Sequence, residues 1–113
     1  MNTICALLEI TPNTIENSKY LKKFALNVAK ETCTIGKAFG IKINEMNIAN
    51  NIKLSCKEHG EHKPSMLQDV LLKKKTEIDS LNGAVVRIGS KVKISTPLNT
   101  SLFNLIKAKE NNY

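Results

Sequence analysis

The chain has 113 residues, enough for one domain with one modest core, and its 4% aromatic content leaves aliphatic side chains to fill that core. A net charge of +7 suits an anionic partner (nucleic acid, a phosphorylated cofactor, an acidic metabolite or an acidic protein), but lysines spread along a chain also simply solubilise helix surfaces. The three cysteines, Cys5, Cys33 and Cys56, are odd in number and far apart, which argues against a disulfide framework and for reduced, buried thiols in a cytoplasmic protein. No apolar run is long enough to span a bilayer, and Ile4 to Ile10 lacks a preceding basic segment and contains Glu9, so neither membrane nor secretory signal is expected.

Asn2 to Leu8 is apolar and uncapped, and reads as the tail of a helix that begins elsewhere. Thr11-Pro12-Asn13-Thr14 has turn chemistry, because proline disfavours helix at the residue before it. Asn17 or Ser18 can then cap a long helix to about Phe39. Leu21, Phe24, Ala25, Val28, Thr32, Ile35 and Phe39 recur at spacings of three and four along one face. Gly40 is the expected glycine just past its end. Asn44 caps a weaker helix to about Lys57, with Met46, Ala49, Ile52 and Cys56 on its buried side.

His59 to Pro64 reads as a loop, after which Ser65 caps a short helix carrying Met66, Leu67 and Val70. Lys73 to Lys75 is a charged link. Thr76 is expected to cap the next helix, with Asp79 completing a near relative of the capping box and Glu77 in the first turn. Ile78, Leu81, Val85, Ile88 and Val92 form that helix's stripe, and Gly83 and Gly89 allow close backbone packing. Thr96 at the cap and Pro97 at the first position start a final helix with the stripe Leu98, Leu102, Leu105 and Ile106, fraying from Glu110 to Tyr113. No stretch alternates with period two, so the fold is expected to be all-α, a single domain over 1–113 with five or six helices.

Few constellations carry chemistry. Cys56, His59 and His62 have the C-x2-H-x2-H spacing of three zinc ligands, but no fourth ligand has local spacing, and a polar loop with two exposed histidines explains them better. No metal is expected. The glycines form neither a dinucleotide fingerprint nor a P-loop. Lys73 to Lys75 with Arg87, Lys91 and Lys93 lack interleaved aromatics and any helix-turn-helix pattern, so nucleic acid is not expected as a partner. Ser65 at a helix N-terminus could face a carboxylate ligand, and Glu77 could point into a shared cleft. By local chemistry alone both are better explained as ordinary helix-start residues.

The residues Ser65-Met66-Leu67-Gln68-Asp69, Thr76-Glu77-Ile78-Asp79, Asn82-Gly83 and Thr96-Pro97-x-Asn99, in that order and at those intervals, resemble the C-terminal domain of ketopantoate reductase (2-dehydropantoate 2-reductase). The match is clearest over 64–109 and looser around Asn2-x3-Ala6-Leu7. The resemblance implies an all-helical domain like the C-terminal domain of 6-phosphogluconate dehydrogenase. It also implies an N-terminal Rossmann domain that binds NADPH, with ketopantoate reduced to pantoate in the cleft between the two. It places Glu77 at the active site beside a catalytic lysine, and Ser65 and Asn2 on the substrate. Asn13 lies one position from a further family asparagine and receives no role.

In the family the lysine precedes the position of Asn2, and no lysine here fills its place. The Rossmann portion has no counterpart either. The expectation is therefore a chain that binds no cofactor and is inactive alone, with NADPH implied for the complete enzyme. Its partners would be ketopantoate or pantoate, a Rossmann-domain chain, and a second copy in a homodimer. The alternative is a non-catalytic helical module for interaction or oligomerisation.

Overall fold

The first helix buries Thr3, Ile4, Cys5 and Ala6, and in the computed structural model its middle is enclosed by the rest of the chain. The structure describes the backbone of residues 1–113 and every side chain except those of Glu45, Ile48, Ala49, Ser55 and His59. Along the described backbone run seven helices and no strand: α1 (Asn2–Leu8), α2 (Pro12–Glu16), α3 (Lys19–Ala38), α4 (Glu45–His59), α5 (Ser65–Leu71), α6 (Asn82–Lys91) and α7 (Pro97–Asn111). The all-α expectation is met, with more helices than the five or six read from the pattern. None is long and apolar enough to cross a membrane.

A seven-residue helix is unstable in isolation, so α1 depends on what surrounds it. It packs on α5 and α7. Ile4 and Cys5 join Ile15, Ala25 and Leu102 in one buried cluster, while Ala6 joins Met66, Val70, Ile78 and Ile106 in a second. The helix is thus the seam between two halves of the core. The longest helix, α3, carries α2, α4, α6 and α7 against its sides.

Several local signals act as the sequence suggests. Ser18 Oγ accepts from the Leu21 amide at 3.3 Å, and Asn44 Oδ1 from the Met46 amide at 2.9 Å, each supplying an acceptor to a free helix-start N–H. Gly40 takes φ +94°, a left-handed conformation after the α3 end that a side chain would strain. Pro97 opens α7.

Others differ. Thr11 is extended, as the proline requires, but Pro12 then serves as the first residue of α2 instead of closing a turn. The Asn13 amide donates to the Gly60 carbonyl at 2.9 Å, which joins this short helix to the end of α4. Pro64, not Ser65, is the cap residue of α5, and Ser65 is its first helical residue. On α4, Cys56 is buried and Ile52 half-buried, but Met46 is 75% exposed; Ala49 lies outside the described side chains. Leu105 is half exposed, and Phe103 packs on the core in its place.

The largest departure is between α5 and α6. Thr76 begins no helix; α6 starts only at Asn82. Thr76 Oγ1 accepts from the Ile78 amide at 3.3 Å, so it closes a small turn, and the Thr76 amide donates to Glu110 Oε2 at 2.7 Å. Asp79 is bound by Lys107 at 2.8 Å instead of reaching back to a cap. Tertiary partners from α7 thus occupy the groups a capping box would use. Ile78 is completely buried within this irregular strap. The chain end does not fray at Glu110 either, because α7 continues to Asn111 and Tyr113 Oη donates to the Lys74 carbonyl at 2.8 Å.

Candidate functional site

Where α1 meets α3, α6 and α7, the packing leaves a cavity of about 520 Å³. Its apolar lining includes Ala25, Val28, Ile52, Val85 and Leu102. Its polar lining is Asn2, Thr3, Thr32, Ser80, Asn82 and Asn99. Such a wall can orient a small molecule through hydrogen bonds while enclosing its apolar part.

Four of the polar residues belong to one connected ladder. Thr3 Oγ1 donates to Asn82 Oδ1, and Asn82 Nδ2 donates to Asn99 Oδ1 at 2.8 Å. Asn99 Nδ2 donates onward to Glu31 Oε1 at 2.9 Å and to Thr32 Oγ1 at 3.3 Å. The Glu31 carboxylate also accepts from the main-chain amides of Leu98 at 3.0 Å and Asn99 at 2.9 Å. A side chain of α3 therefore caps the N-terminus of α7, where the helix dipole favours a negative charge. Thr96, the residue in the cap position, turns its hydroxyl to Thr100 Oγ1 at 3.0 Å. Thr3 and Asn99 are buried, and Asn82 is at 9% exposure, so the satisfied ladder fixes the amide orientations on that wall.

The glycine after Asn82 has a steric reason. A Cβ on Gly83 would lie 3.1 Å from both the Ile78 carbonyl oxygen and the Phe103 ring. That close approach lets α6 start against the strap and present Asn82 to the cavity.

Of the sequence-predicted site residues, Asn2 lines the cavity, while Ser65 and Glu77 do not. Ser65 is exposed at the start of α5, which packs on α1. Glu77 is exposed on the strap that follows, its carbonyl accepting from the Ser80 and Leu81 amides at 3.0 and 3.1 Å. Next to it, the Lys107 ammonium holds the Asp79 carboxyl below its ordinary range, and Asp79 raises Lys107 in turn. Sequence reasoning missed Thr3 and Glu31. Glu31 has no local signal, since the amides it caps are 67 and 68 residues away.

The cavity's chemistry is limited. Among the described residues no Asp, Glu, His, Lys or Arg side chain lines it, which suits binding and orientation; the Met1 terminal amine, its pKa lowered by burial, is the ionisable group on the lining residues. A dinucleotide does not fit these residues: no Lys or Arg side chain lines the wall to meet a pyrophosphate, and no glycine fingerprint leads from a strand into a helix among the described residues. For metal, the buried Cys56 has its Sγ 3.3 Å from Met1 Sδ, His62 is exposed, and His59 lies outside the described side chains. No three His, Cys, Asp or Glu gather among the described residues. Burial pushes the Cys5 thiol up to about 11, which keeps it protonated and unreactive near neutral pH.

Comparison with known proteins adds the context these side chains lack. The chain is 37% identical over 110 residues to the 2-dehydropantoate 2-reductase of Pyrobaculum aerophilum, covering 97% of this chain and 39% of that protein. It is equally 37% identical over 110 residues to the enzyme of the same name from Pyrococcus horikoshii, of which it covers 36%. The chain thus spans well under half the length of these relatives. Among solved structures, a D-mandelate dehydrogenase with NADH and anilino(oxo)acetate superposes with a TM-score of 0.92 at 28% identity, over 99% of this chain and 62% of that one. A putative 2-dehydropantoate 2-reductase from Enterococcus faecalis gives 0.91 at 26% identity, over 97% and 36%. The profile of the family described as "Ketopantoate reductase PanE/ApbA C terminal" matches residues 1–110, and the chain belongs to that family.

Proposed function

We propose that this chain is the substrate-side helical part of a cytoplasmic 2-dehydropantoate 2-reductase, which reduces ketopantoate to pantoate with NADPH. The observation that carries the reading is the 37% identity running along 97% of the chain to enzymes of that name. In this reading Asn2 and Ser65 hydrogen-bond the substrate, and Glu77 is the acidic group at the reacting centre. The cavity wall carries no acidic or basic side chain, so in this reading the side chain that protonates the carbonyl oxygen lies outside it. No step through the dinucleotide is assigned to this chain, because its residues do not fit one.

The test is an assay of ketopantoate-dependent NADPH oxidation, with the chain alone and then mixed with the N-terminal part of a relative. Activity is expected only in the mixture, and Glu77→Ala should abolish it without unfolding the chain. Silence in both, with a full-length relative active in the same buffer, supports the alternative of a non-catalytic interaction or oligomerisation module. A second catalytic reading, reduction of a bulkier 2-oxo acid, is favoured by the 0.92 TM-score to a D-mandelate dehydrogenase together with the aliphatic cavity lining. Replacing ketopantoate by phenylglyoxylate in the mixture separates the two substrates.

A further inference from the structure

The strap from Leu72 to Leu81 carries Glu77 between two helices yet has no helical ladder of its own. Its own turns satisfy the Ser80 and Leu81 amides, but the Thr76 amide and the Lys74 carbonyl take partners from elsewhere. The last turns of α7 supply them. Glu110 Oε2 accepts from the Thr76 amide at 2.7 Å, immediately before Glu77. Lys107 Nζ donates to Asp79 Oδ2 at 2.8 Å, two residues after it. Tyr113 Oη reaches the Lys74 carbonyl at 2.8 Å. Lys107 and Glu110 are themselves 3.8 Å apart on successive turns and act as one unit. From the α6 side, Arg87 Nη2 donates to the Asp79 carbonyl at 2.9 Å.

The two bonds flanking Glu77 differ in setting. Thr76 is buried, and the Glu110 side chain is only 10% exposed, so the amide–carboxylate bond is shielded from water. A charge-assisted bond in that environment is stronger than a neutral one. The Lys107–Asp79 pair is more exposed, and alone it would hold less. Beneath both, Ile78 is a fully buried anchor. Glu77 is the outward-pointing residue of a segment pinned immediately before it, beneath it and two residues after it.

We propose that Glu110 and Lys107 are positioning residues, clamping the strap so that Glu77 holds one fixed place at the edge of the site. This rests on the reading of Glu77 given above. The clamp makes the end of α7 part of the site's framework, although neither residue lines the cavity.

The experiment uses the full chain as Glu110→Ala, Glu110→Gln and Lys107→Met. Gln keeps an oxygen for the Thr76 amide, and Met keeps the aliphatic stem against Phe103 should Glu110→Ala fail to fold. Amide hydrogen exchange is read at Ser80 and Leu81, whose bonds end on the Glu77 carbonyl, with Cys5 and Ile106 as core controls. Glu110→Ala and Lys107→Met should speed Ser80 and Leu81 exchange by about ten-fold, with core amides unchanged and Glu110→Gln near wild type. Wild-type rates at Ser80 and Leu81 in both disruptive variants overturn the clamp. In the mixed assay, Glu110→Ala should lower kcat by about ten-fold and Glu110→Gln restore it. An active mixture whose kcat is indifferent to Glu110→Ala overturns the positioning role. A wild-type mixture that is silent while exchange accelerates refutes the reductase reading and leaves the clamp standing.

Discussion

Replacing Asn99 tests whether the polar ladder holds the cavity wall. Its side chain is 1% exposed, accepts one bond from Asn82 and donates to Glu31 and Thr32. In Asn99→Ala the bonds to Asn82 and to the Glu31 carboxylate are lost, at about 1 kcal/mol net for the neutral one and about 2 for the charged one. The 3.3 Å contact to Thr32 adds little. Because the cavity adjoins the site, water can reach the stranded Asn82 amide and reduce the desolvation penalty. The expected loss is about 2–4 kcal/mol, which in a urea titration followed by far-UV circular dichroism lowers the midpoint by about 1–2 M. Asn99→Asp gives an independent check. It keeps an acceptor for Asn82 but sets a second carboxylate against Glu31 where the wild-type contact is 2.9 Å. That variant should be destabilised at neutral pH and regain stability in acid, where protonation removes the like-charge contact. A midpoint for Asn99→Ala that implies a loss below about 0.5 kcal/mol would falsify the ladder as a structural element.

Two glycines should fail for different reasons. Gly89→Ala sets a Cβ 2.6 Å from Thr96 Cγ2 and 2.9 Å from the Ile94 carbonyl oxygen, so the start of α7 must move. A loss of about 1–3 kcal/mol is expected despite alanine's better helix propensity. Gly40→Ala meets nothing within 4 Å, and its loss of about 1 kcal/mol comes from the φ of +94° alone. Equal stability of Gly89→Ala and wild type by thermal melting would contradict the packing. The Asp79–Lys107 pair has a defined pH signature. Asp79's folded pKa lies below the unfolded 3.8, so its stabilisation is complete above that value and lost as pH falls through the lowered one. Lys107's lies above 10.5, so its share is present below that pH and lost as pH rises through the raised value. Wild type and Asp79→Asn should therefore differ in urea midpoint at neutral pH and converge in strong acid; a gap that stays constant down to pH 2 argues against the pair.

Much of the fold was legible because helix ends are settled by chemistry within a few residues. Ser18 and Asn44 satisfy amides two or three positions on, Gly40 supplies a left-handed turn, and Pro97 starts α7 without needing an amide partner. The apolar spacing of α5 was equally readable, as was that of α3 except at Phe39, which is 51% exposed at its end, and the linked motifs around Ser65, Glu77, Asn82 and Thr96 pointed to the family. The strap was not legible, because a threonine followed three positions later by an aspartate looks locally like a capping box. Only the presence of Glu110 and Lys107, 34 and 28 residues further along, draws off the Thr76 amide and the Asp79 carboxylate. The same holds for Glu31, whose role as the cap of α7 exists only once α3 and α7 pack. The sequence by itself determined the helical class, most helix ends and the family. Tertiary structure decided which polar groups meet across the core, and with that the shape of the strap and the wall of the cavity, because those bonds join residues whose separation along the chain carries no local signal.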